Sequence, residues 1–427
     1  MGTDYSNNIK IIHEGTITDV LNFFASSCHC GLRKFREDFC ILYTPEETCC
    51  SGMFTNNKFA AAPVIVNKEQ LTKTRNIKAI IISSGIANAC TGLQGIENAE
   101  HTIKLASKYL NLNTENILVA STGRIGKQLP MDKVERGISV CSKNLSRVGG
   151  HNAARAILTI DKNSKEIAIK LKFDEEIIKY AGNQNDKINI KNSEITIGGI
   201  AKGSVMIEPD MATTLAFLAA DVKISSELLD EALRECIDNT FNCISTDGCQ
   251  STNDMILIIA NGASGMEIVE RGKNYDDFKN ALFFVLKALS LKIVEDGEGA
   301  TKTIEINVIN AHNKLEARSL GKKIANSILF KTAMFGEDLN WGRIAAAIGS
   351  AQHQIDQNKV DIFLDDIQVM KNGQASDFDI EHGNRLMKNK NLKFVVDLKA
   401  GNDSAKIYTN DISYDYIKIN AEYKKQK

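Results

Sequence analysis

The sequence has little proline, one tryptophan and no charge excess. Four prolines occur in 427 residues, and the 52 Lys and Arg residues nearly equal the 53 Asp and Glu residues. This balance excludes the strong electric field of proteins that bind nucleic acids or anionic membranes. No apolar run is long enough for a membrane span, and ALFFVLKALSL is typical of a core helix. We therefore expect small-molecule or protein partners, with no nucleic acid and no membrane.

The ten cysteines follow no C-x-x-C pattern, which favours a reducing cytoplasm. Side chains that could bind zinc crowd one segment: Cys28, His29, Cys30, Cys40, Cys49 and Cys50. Their spacings match no common zinc motif, so we predict no metal and favour free thiols, with a structural zinc as the open alternative. The seven histidines are scattered, so an enzyme with this sequence is expected to work without histidine.

Several catalytic signatures are absent from the sequence. There is no G-x-S-x-G nucleophile elbow, no H-E-x-x-H zinc helix and no Rossmann fingerprint. The stretch GGIAKGS looks like a phosphate loop, but its order is Lys202, Gly203, Ser204, whereas a Walker loop needs glycine before lysine. We therefore reject a nucleotide site and predict no cofactor.

Strand and helix patterns are mixed along the chain. The expected strands include KEIAIKLKF, TIEINV, LAFLAAD, MILIIANG and a hairpin in INIKNSEITI that turns at Asn192 and Ser193. The expected helices are ENAEHTIKLASKYL, SSELLDEALRECIDNTF, YDDFKNALFFVLKALSLKIVE and LEARSLGKKIANSILFKTAM. The last hundred residues are predicted as short strands, ending with YDYIKIN. The predicted fold class is α/β (α+β), with mixed β-sheets layered with α-helices.

Two adjacent hydroxyls, Thr213 and Thr214, interrupt the stretch KGSVMIEPDMATTLAFLAAD. A threonine can act as a nucleophile when its base is its own N-terminal amine. The ordinary pKa of that amine, about 7.7 to 8.0, leaves a useful neutral fraction near pH 7. Thr213 has such an amine only if the peptide bond from Ala212 is cut. The Thr213 hydroxyl can make this cut by attacking the Ala212 carbonyl, which converts the amide to an ester that water then hydrolyses. On residue types alone, MATTL is more typical of a plain strand.

The stretch from Lys202 to Asp221 resembles the cleavage junction of the ornithine acetyltransferase family, also called the bifunctional glutamate N-acetyltransferase family. Other stretches follow the order of that family: SGMFTNNKFAAAPV, ASTGRIGKQLPMDKVERGI, AILTIDKNSKEIAI, STDGCQSTNDMILIIANG, EDGEGATKTIEINV, FGEDLNWGRIAAAIGSA and YDYIKINAEY. The resemblance covers most of the chain and implies an N-terminal-nucleophile-like, self-processing fold of the ornithine acetyltransferase/DmpA type. It also implies a cytoplasmic enzyme of arginine biosynthesis.

The resemblance implies roles for single residues. Thr213 would be the nucleophile and, through its amine, the base, after cleavage between Ala212 and Thr213. Thr122 and Gly123 of ASTGRIG would form the oxyanion hole. Substrate contacts are implied for Thr159, Lys202, Thr213, Glu298, Asn420 and Lys425. The fragments would be residues 1–212 (alpha) and 213–427 (beta), associating as α2β2 or a higher multiple.

The implied reaction moves acetyl from N-acetylornithine to glutamate in two steps, with acetyl-CoA as a possible further donor. The chain departs from the pattern of the family at Ile160, Val205, Asp210 and Lys425. Two alternatives therefore stay open. One is a threonine acyltransferase or hydrolase of the same fold with another amine substrate, which Ile160 and Lys425 favour. The other is a binding relative that does not process itself, which Val205 and Asp210 favour.

Overall fold

The computed structural model describes residues 8–173, 178–180, 187–189, 194–208 and 214–422. Within them the strands are β1 (Ile9–Ile11), β2 (Phe24–Cys28), β3 (Phe39–Tyr43), β4 (Cys49–Phe54), β5 (Ala79–Ile86), β6 (Ile117–Arg124), β7 (Lys165–Lys172), β8 (Ile178–Tyr180), β9 (Lys187–Asn189), β10 (Glu194–Lys202), β11 (Leu215–Ala220), β12 (Lys223–Ile224), β13 (Met255–Ala260), β14 (Glu267–Ile268), β15 (Thr303–Ala311), β16 (Asp361–Leu364), β17 (Ile367–Lys371), β18 (Gln374–Ala375), β19 (Asn391–Asp397) and β20 (Asp403–Asn410). The helices are α1 (Ala62–Lys73), α2 (Gly92–Leu110), α3 (Met131–Cys141), α4 (Gly150–Ala156), α5 (Ser226–Asp238), α6 (Lys273–Glu295), α7 (Lys314–Ala325), α8 (Ile328–Phe335), α9 (Trp341–Gly349), α10 (Ile380–Met387) and α11 (Tyr414–Ala421).

The chain divides into two compact units. Unit 1 comprises Met1–Lys202, Met211–Ile237 and Ser251–Leu289; unit 2 comprises Gly203–Asp210, Asp238–Gln250 and Ser290–Lys427. Unit 1 contains a six-stranded sheet of order β1-β7-β10-β11-β13-β4 and a four-stranded sheet of order β2-β3-β5-β6. Both sheets are mixed, because β11 runs parallel to β13 and β5 runs parallel to β6 while their other pairs are antiparallel.

The core of unit 1 lies between its two larger sheets. Phe217 and Leu257 of the six-stranded sheet share a buried cluster with Ile80 and Leu118 of the four-stranded sheet. The opposite face of the four-stranded sheet packs against α2 and α3. Strands β11 and β13 are buried at every position, which explains their continuous apolar sequences, since strands covered on both faces lose the alternation.

Unit 2 is built on a six-stranded mixed sheet of order β18-β17-β16-β19-β15-β20, in which β15 and β19 are parallel. Its strands keep the alternating pattern, because one face joins the core with α7, α8 and α9 and the other is more exposed. The buried cluster includes Ile306, Leu320, Phe330 and Phe394.

The predicted class of mixed sheets layered with helices is confirmed, and three local predictions need comment. The predicted strand YDYIKIN is wrong: Ser413 accepts hydrogen bonds from the N–H groups of Asp415 and Tyr416 and begins helix α11. The single helix predicted over LEARSLGKKIANSILFKTAM is two helices, because Ser327 caps α8 by accepting from the N–H of Phe330 at 3.3 Å.

The third local prediction is the hairpin in INIKNSEITI. Its turn at Asn192 and Ser193 lies outside the described residues. Among the described strands, β9 pairs with β8, and β10 pairs with β7 and β11, so the predicted pairing of the two strands that flank this turn is not found there. The apolar run ALFFVLKALSL lies within α6, as predicted for a core helix, and Leu282 and Leu286 are fully buried. Across the described ranges, no helix combines the length and apolarity that a membrane crossing requires.

Candidate active site

Thr122 and Gly123 lie near the end of β6, opposite Ser84 and Gly85 of β5. Gly123 has a φ of +128°, and a Cβ there would lie 2.3 Å from the carbonyl carbon of Gly85. Backbone atoms cannot give way cheaply to such a clash, so this close approach of two strands requires glycine. Thr122, which is largely buried, directly precedes this glycine within β6.

Lys202 ends β10 and is brought to Thr122. Its Nζ donates to Thr122 Oγ1 at 3.4 Å. A hydroxyl that accepts from an ammonium keeps its own hydrogen for another acceptor, and the neighbouring positive charge makes it a better donor. These residues can therefore supply a hydroxyl donor and a cation within one site of unit 1.

A buried ion pair lies beside this lysine. Lys165 Nζ contacts Asp161 Oδ1 at 2.9 Å, and the two side chains are 1% and 0% exposed. Asp161 also accepts from the Thr159 N–H at 3.0 Å. Burial acts to raise the pKa of Asp161, but the charges of Lys202 and Lys165 and these hydrogen bonds outweigh it and hold the pKa below its usual range. Asp161 is therefore a stable carboxylate that faces Lys202.

The loop that carries Thr159 is tied down through its backbone. Arg33 donates to the carbonyl oxygen of Thr159 at 2.7 Å, and Arg36 donates to the same oxygen. Thr159 Oγ1 lies 3.4 Å from Asp161 Oδ2. Two guanidinium groups from the β2–β3 connection thus restrain a residue that the resemblance assigns to substrate binding.

Asp254 is a second carboxyl group near Lys202, and sequence reasoning missed it. It is 3% exposed, and its Oδ2 has no hydrogen-bond partner among the described residues. Burial raises its pKa well above the usual value, although Ser251 and the charge of Lys202 oppose this shift. The N–H of Met255 donates to the carbonyl of Thr214 at 3.0 Å, so Asp254 is level with Thr214 where β11 and β13 begin.

In unit 2 the predicted substrate residues Glu298 and Asn420 are brought together. Asn420 Nδ2 donates to Glu298 Oε2 at 2.8 Å and to the Tyr416 carbonyl at 2.9 Å. Helix α11 makes this contact possible, because its cap Ser413 donates to the carbonyl of Gly299 at 2.6 Å. A Cβ at Gly299 would lie 2.4 Å from the N atom of Tyr416, so glycine lets the helix approach the Glu298 turn.

Some predicted residues lie outside the described residues, namely Ala212, Thr213, Asp210 and Lys425. Thr214 is described, and it precedes β11 with a buried hydroxyl that has no partner among the described residues. For the zinc alternative, the described part of the chain shows no group of three or more His, Cys, Asp or Glu side chains that could hold a metal. All ten cysteines are free thiols.

The profile of the ArgJ family matches residues 24–425. The arginine biosynthesis bifunctional protein ArgJ of Streptococcus mutans is 42% identical over 417 residues, which cover 97% of this chain and 100% of that protein. The chain belongs to the ArgJ family. The ArgJ of Caldanaerobacter subterraneus is 41% identical over 97% of this chain and 99% of its own length, and the ArgJ of Staphylococcus aureus is 39% identical over 99% and 98%.

Solved structures also match. A crystal structure of ArgJ from Bacillus halodurans is 36% identical and covers 48% of this chain and 98% of its own, with a TM-score of 0.47. Ornithine acetyltransferase from Mycobacterium tuberculosis, complexed with ornithine, is 29% identical and covers 48% of this chain and 100% of its own, with a TM-score of 0.41. Membership of the ArgJ family confirms the resemblance and the class of enzyme, an acyltransferase. The roles of single residues stay predictions.

Sequence reasoning assigned no role to Asp161, Lys165 or Asp254, which lie near Lys202. A signal existed for Asp254, since STNDM puts a carboxylate directly before a fully apolar strand. DKNSKE has a Lys four residues after an Asp, which is usual for a solvated surface pair. Only the fold of this ArgJ-family chain shows that both members are buried.

Proposed function

We propose that this chain transfers acetyl from N-acetylornithine to glutamate through an acetyl ester on Thr213, after self-cleavage between Ala212 and Thr213. The observation that carries the proposal is the contact between Lys202 Nζ and Thr122 Oγ1. The next residue, Gly123, lies so close to the backbone of Gly85 that no side chain fits there. The near full-length relatives, which are named arginine biosynthesis bifunctional proteins, support the pathway. Membership of the ArgJ family also supports a role as ornithine acetyltransferase and glutamate N-acetyltransferase.

In the first step the Thr213 hydroxyl attacks the acetyl carbonyl, and the Thr213 amine accepts the hydroxyl proton. An α-amino group of ordinary pKa, about 7.7 to 8.0, can do this near neutral pH. The proton then passes to the leaving nitrogen of ornithine. In the second step the amine of glutamate attacks the ester carbonyl and loses a proton to the Thr213 amine. The bond between the carbonyl carbon and Thr213 Oγ then breaks, the proton passes to Oγ, and N-acetylglutamate departs. This order predicts ping-pong kinetics and needs no cofactor.

The oxyanion that forms in each step requires donors. We assign this role to the Thr122 hydroxyl and the Gly123 N–H, as the resemblance implies. The Lys202 ammonium favours this role, since it donates to Thr122 and leaves the hydroxyl hydrogen of Thr122 for the oxyanion. One such donor contributes about 2.7 to 4 kcal/mol to lowering a barrier.

Amino acid substrates carry a carboxylate and an ammonium. Lys202 is the cation proposed for the carboxylate, and Glu298 is the anion proposed for the ammonium. Thr159 is proposed as a further substrate contact. Asn420 supports this reading by donating to Glu298 Oε2, which orients that carboxylate. Lys425 stays a substrate-binding prediction, and acetyl-CoA stays a possible second donor.

The two fragments, 1–212 and 213–427, are expected to associate as α2β2 or a higher multiple. Mass photometry of the purified protein tests this assembly.

The ten free thiols support the prediction of a reducing cytoplasm.

The first test is the intact mass under denaturing conditions. The native sequence should give two pieces, the second with 427 − 212 = 215 residues, and Thr213→Ala should stay whole at 47.0 kDa. Thr214→Ala is the matched control, because it removes the adjacent hydroxyl and should still be cut. An uncut native chain would contradict the mechanism and favour the binding relative.

The second test separates transfer from hydrolysis. Loss of acetyl from N-acetylornithine is measured with and without glutamate in the cleaved protein. Transfer should far exceed hydrolysis, and double-reciprocal plots should be parallel. If loss of acetyl were independent of glutamate, the alternative of a hydrolase or of an acyltransferase with another amine substrate would replace the proposal.

A further inference from the structure

Two cysteines away from the site lie in contact at the ends of two elements. Cys28 is the last residue of β2 and Cys141 is the last residue of α3, and their sulfur atoms are 3.5 Å apart. Cys28 is half-buried and Cys141 is buried. A disulfide requires about 2.05 Å between the sulfurs, so an approach of about 1.5 Å is enough.

The helix and strand that carry these thiols pack closely. A Cβ at Gly137 of α3 would lie 2.7 Å from Cγ of Phe39 on β3, the strand paired with β2 at Cys28. The carbonyl of Gly137 is also within 3.8 Å of Cys28 Sγ. The contact between the sulfurs is thus held by two packed elements rather than by a loop.

The two thiols differ in chemistry. The hydrogen bond from the Cys141 thiol lowers the pKa of Cys28 against burial and against the charges of Asp38 and Glu37, and Arg136 assists. The same bond and burial raise the pKa of Cys141. Because a thiolate and not a thiol is the nucleophile, Cys28 is the member that reacts first and Cys141 is placed to react second.

Neighbouring cysteines lack this combination. Burial raises the pKa of Cys30 and Cys40, and both are buried. Cys90 is exposed and serves as a control for general thiol reactivity. Cys28 differs from them because it is partly exposed and also contacts a second thiol, that of Cys141.

We propose that Cys28 and Cys141 form a reversible oxidation site, at which hydrogen peroxide converts the dithiol to a disulfide. The Cys28 thiolate attacks one peroxide oxygen and breaks the O–O bond, which gives a sulfenic acid and, with a proton, water. The Cys141 sulfur then attacks the Cys28 sulfur, the S–O bond breaks, and the sulfenic oxygen leaves as a second water with the Cys141 proton. The two sulfurs lose two electrons and the peroxide gains them.

The test treats the full-length protein with hydrogen peroxide, blocks free thiols and maps the peptides without reduction. A linked peptide pair containing Cys28 and Cys141 should form and disappear with dithiothreitol. Cys28→Ser and Cys141→Ser should each lack it, while Cys90→Ser should keep it. If Cys141→Ser does not fold, the native map and Cys28→Ser decide.

Two results would overturn the proposal. One is oxidation of Cys28 to sulfinic acid with no linked peptide, which would mean that Cys141 does not react with it. The other is a reduced Cys28 under conditions that fully oxidise Cys90. Neither result depends on acetyl transfer, so this inference stands or falls apart from the proposed function.

Discussion

Replacing Lys165 by methionine tests the buried ion pair beside the candidate site. Methionine keeps much of the length of lysine and removes its charge, so Asp161 loses the Nζ contact at 2.9 Å while remaining buried. Removing one partner of a buried pair typically costs about 3 to 5 kcal/mol, because the other charge is left uncompensated. The hydrogen bond from the Thr159 N–H at 3.0 Å and the charge of Lys202 remain, so we expect the free energy of unfolding to fall by about 3 kcal/mol.

The double variant Asp161→Asn/Lys165→Met separates the charge effect from lost packing. With both ions of the pair gone, neither member leaves the other as an unpaired buried charge, so the loss of stability in the double variant should be smaller than the sum of the two single losses. Urea unfolding should be followed by circular dichroism, because the only tryptophan, Trp341, lies in unit 2. A loss below about 1 kcal/mol for Lys165→Met, or additive single losses, would refute the reasoning.

The effect of pH gives a second check on the same pair. The pKa of Asp161 is lowered in the folded state, so its contribution to stability is present above the pKa of an unfolded aspartate, about 3.9. That contribution is lost as pH falls through the folded-state pKa. The stability difference between native protein and Lys165→Met should therefore narrow only below about pH 4. If the stability difference instead changed between pH 6 and 8, a titrating group other than Asp161 would be responsible for it.

Two further predictions concern the candidate site. Gly123→Ala should lower kcat for acetyl transfer by about 10²- to 10³-fold, since a Cβ 2.3 Å from Gly85 displaces the proposed oxyanion N–H. Gly272→Ala is the control and should keep activity, because a Cβ there meets nothing within 4 Å; equal losses in both variants would argue against the role. Asp254→Asn should gain stability relative to the native protein as pH rises above about 3.9, because the raised pKa of Asp254 makes native stability fall with rising pH. Urea midpoints at several pH values check this, and a constant difference would contradict it.

Much of the fold could be predicted from hydrophobic pattern. Runs such as LAFLAA and MILIIA are strands because their neighbours bury both faces, and the sequence shows this directly. YDYIKIN fails because its aromatic and β-branched residues favour a strand locally. Its helical state depends on the cap residue Ser413 and on Gly299, which lies more than a hundred residues away. The hydrophobic pattern of YDYIKIN itself includes neither residue.

The candidate site was predictable only in part. Motifs supplied Thr122, Gly123, Lys202, Glu298 and Asn420, and the structure pairs Thr122 with Lys202 and Glu298 with Asn420. No motif contains the information that β6 and β10 end side by side. The effects of Asp161, Lys165 and Asp254 on the charge near Lys202 depend on the burial of these side chains, which the spacing of residues in a sequence does not reveal.

The charges around Lys202 determine what it can bind. Lys165 and Asp161 neutralise each other at 2.9 Å. Among the described residues, Asp254 is a further carboxyl group close enough for its pKa to be affected by Lys202, and burial raises that pKa and so favours the neutral form. With Asp254 neutral, the cluster of two lysines and one carboxylate carries one excess positive charge, which a substrate carboxylate can neutralise. With Asp254 ionised, the excess disappears and Lys202 would already be paired. The burial of Asp254 costs stability above its unfolded pKa and, by favouring the neutral form, is consistent with the proposed role of Lys202 in binding a substrate carboxylate.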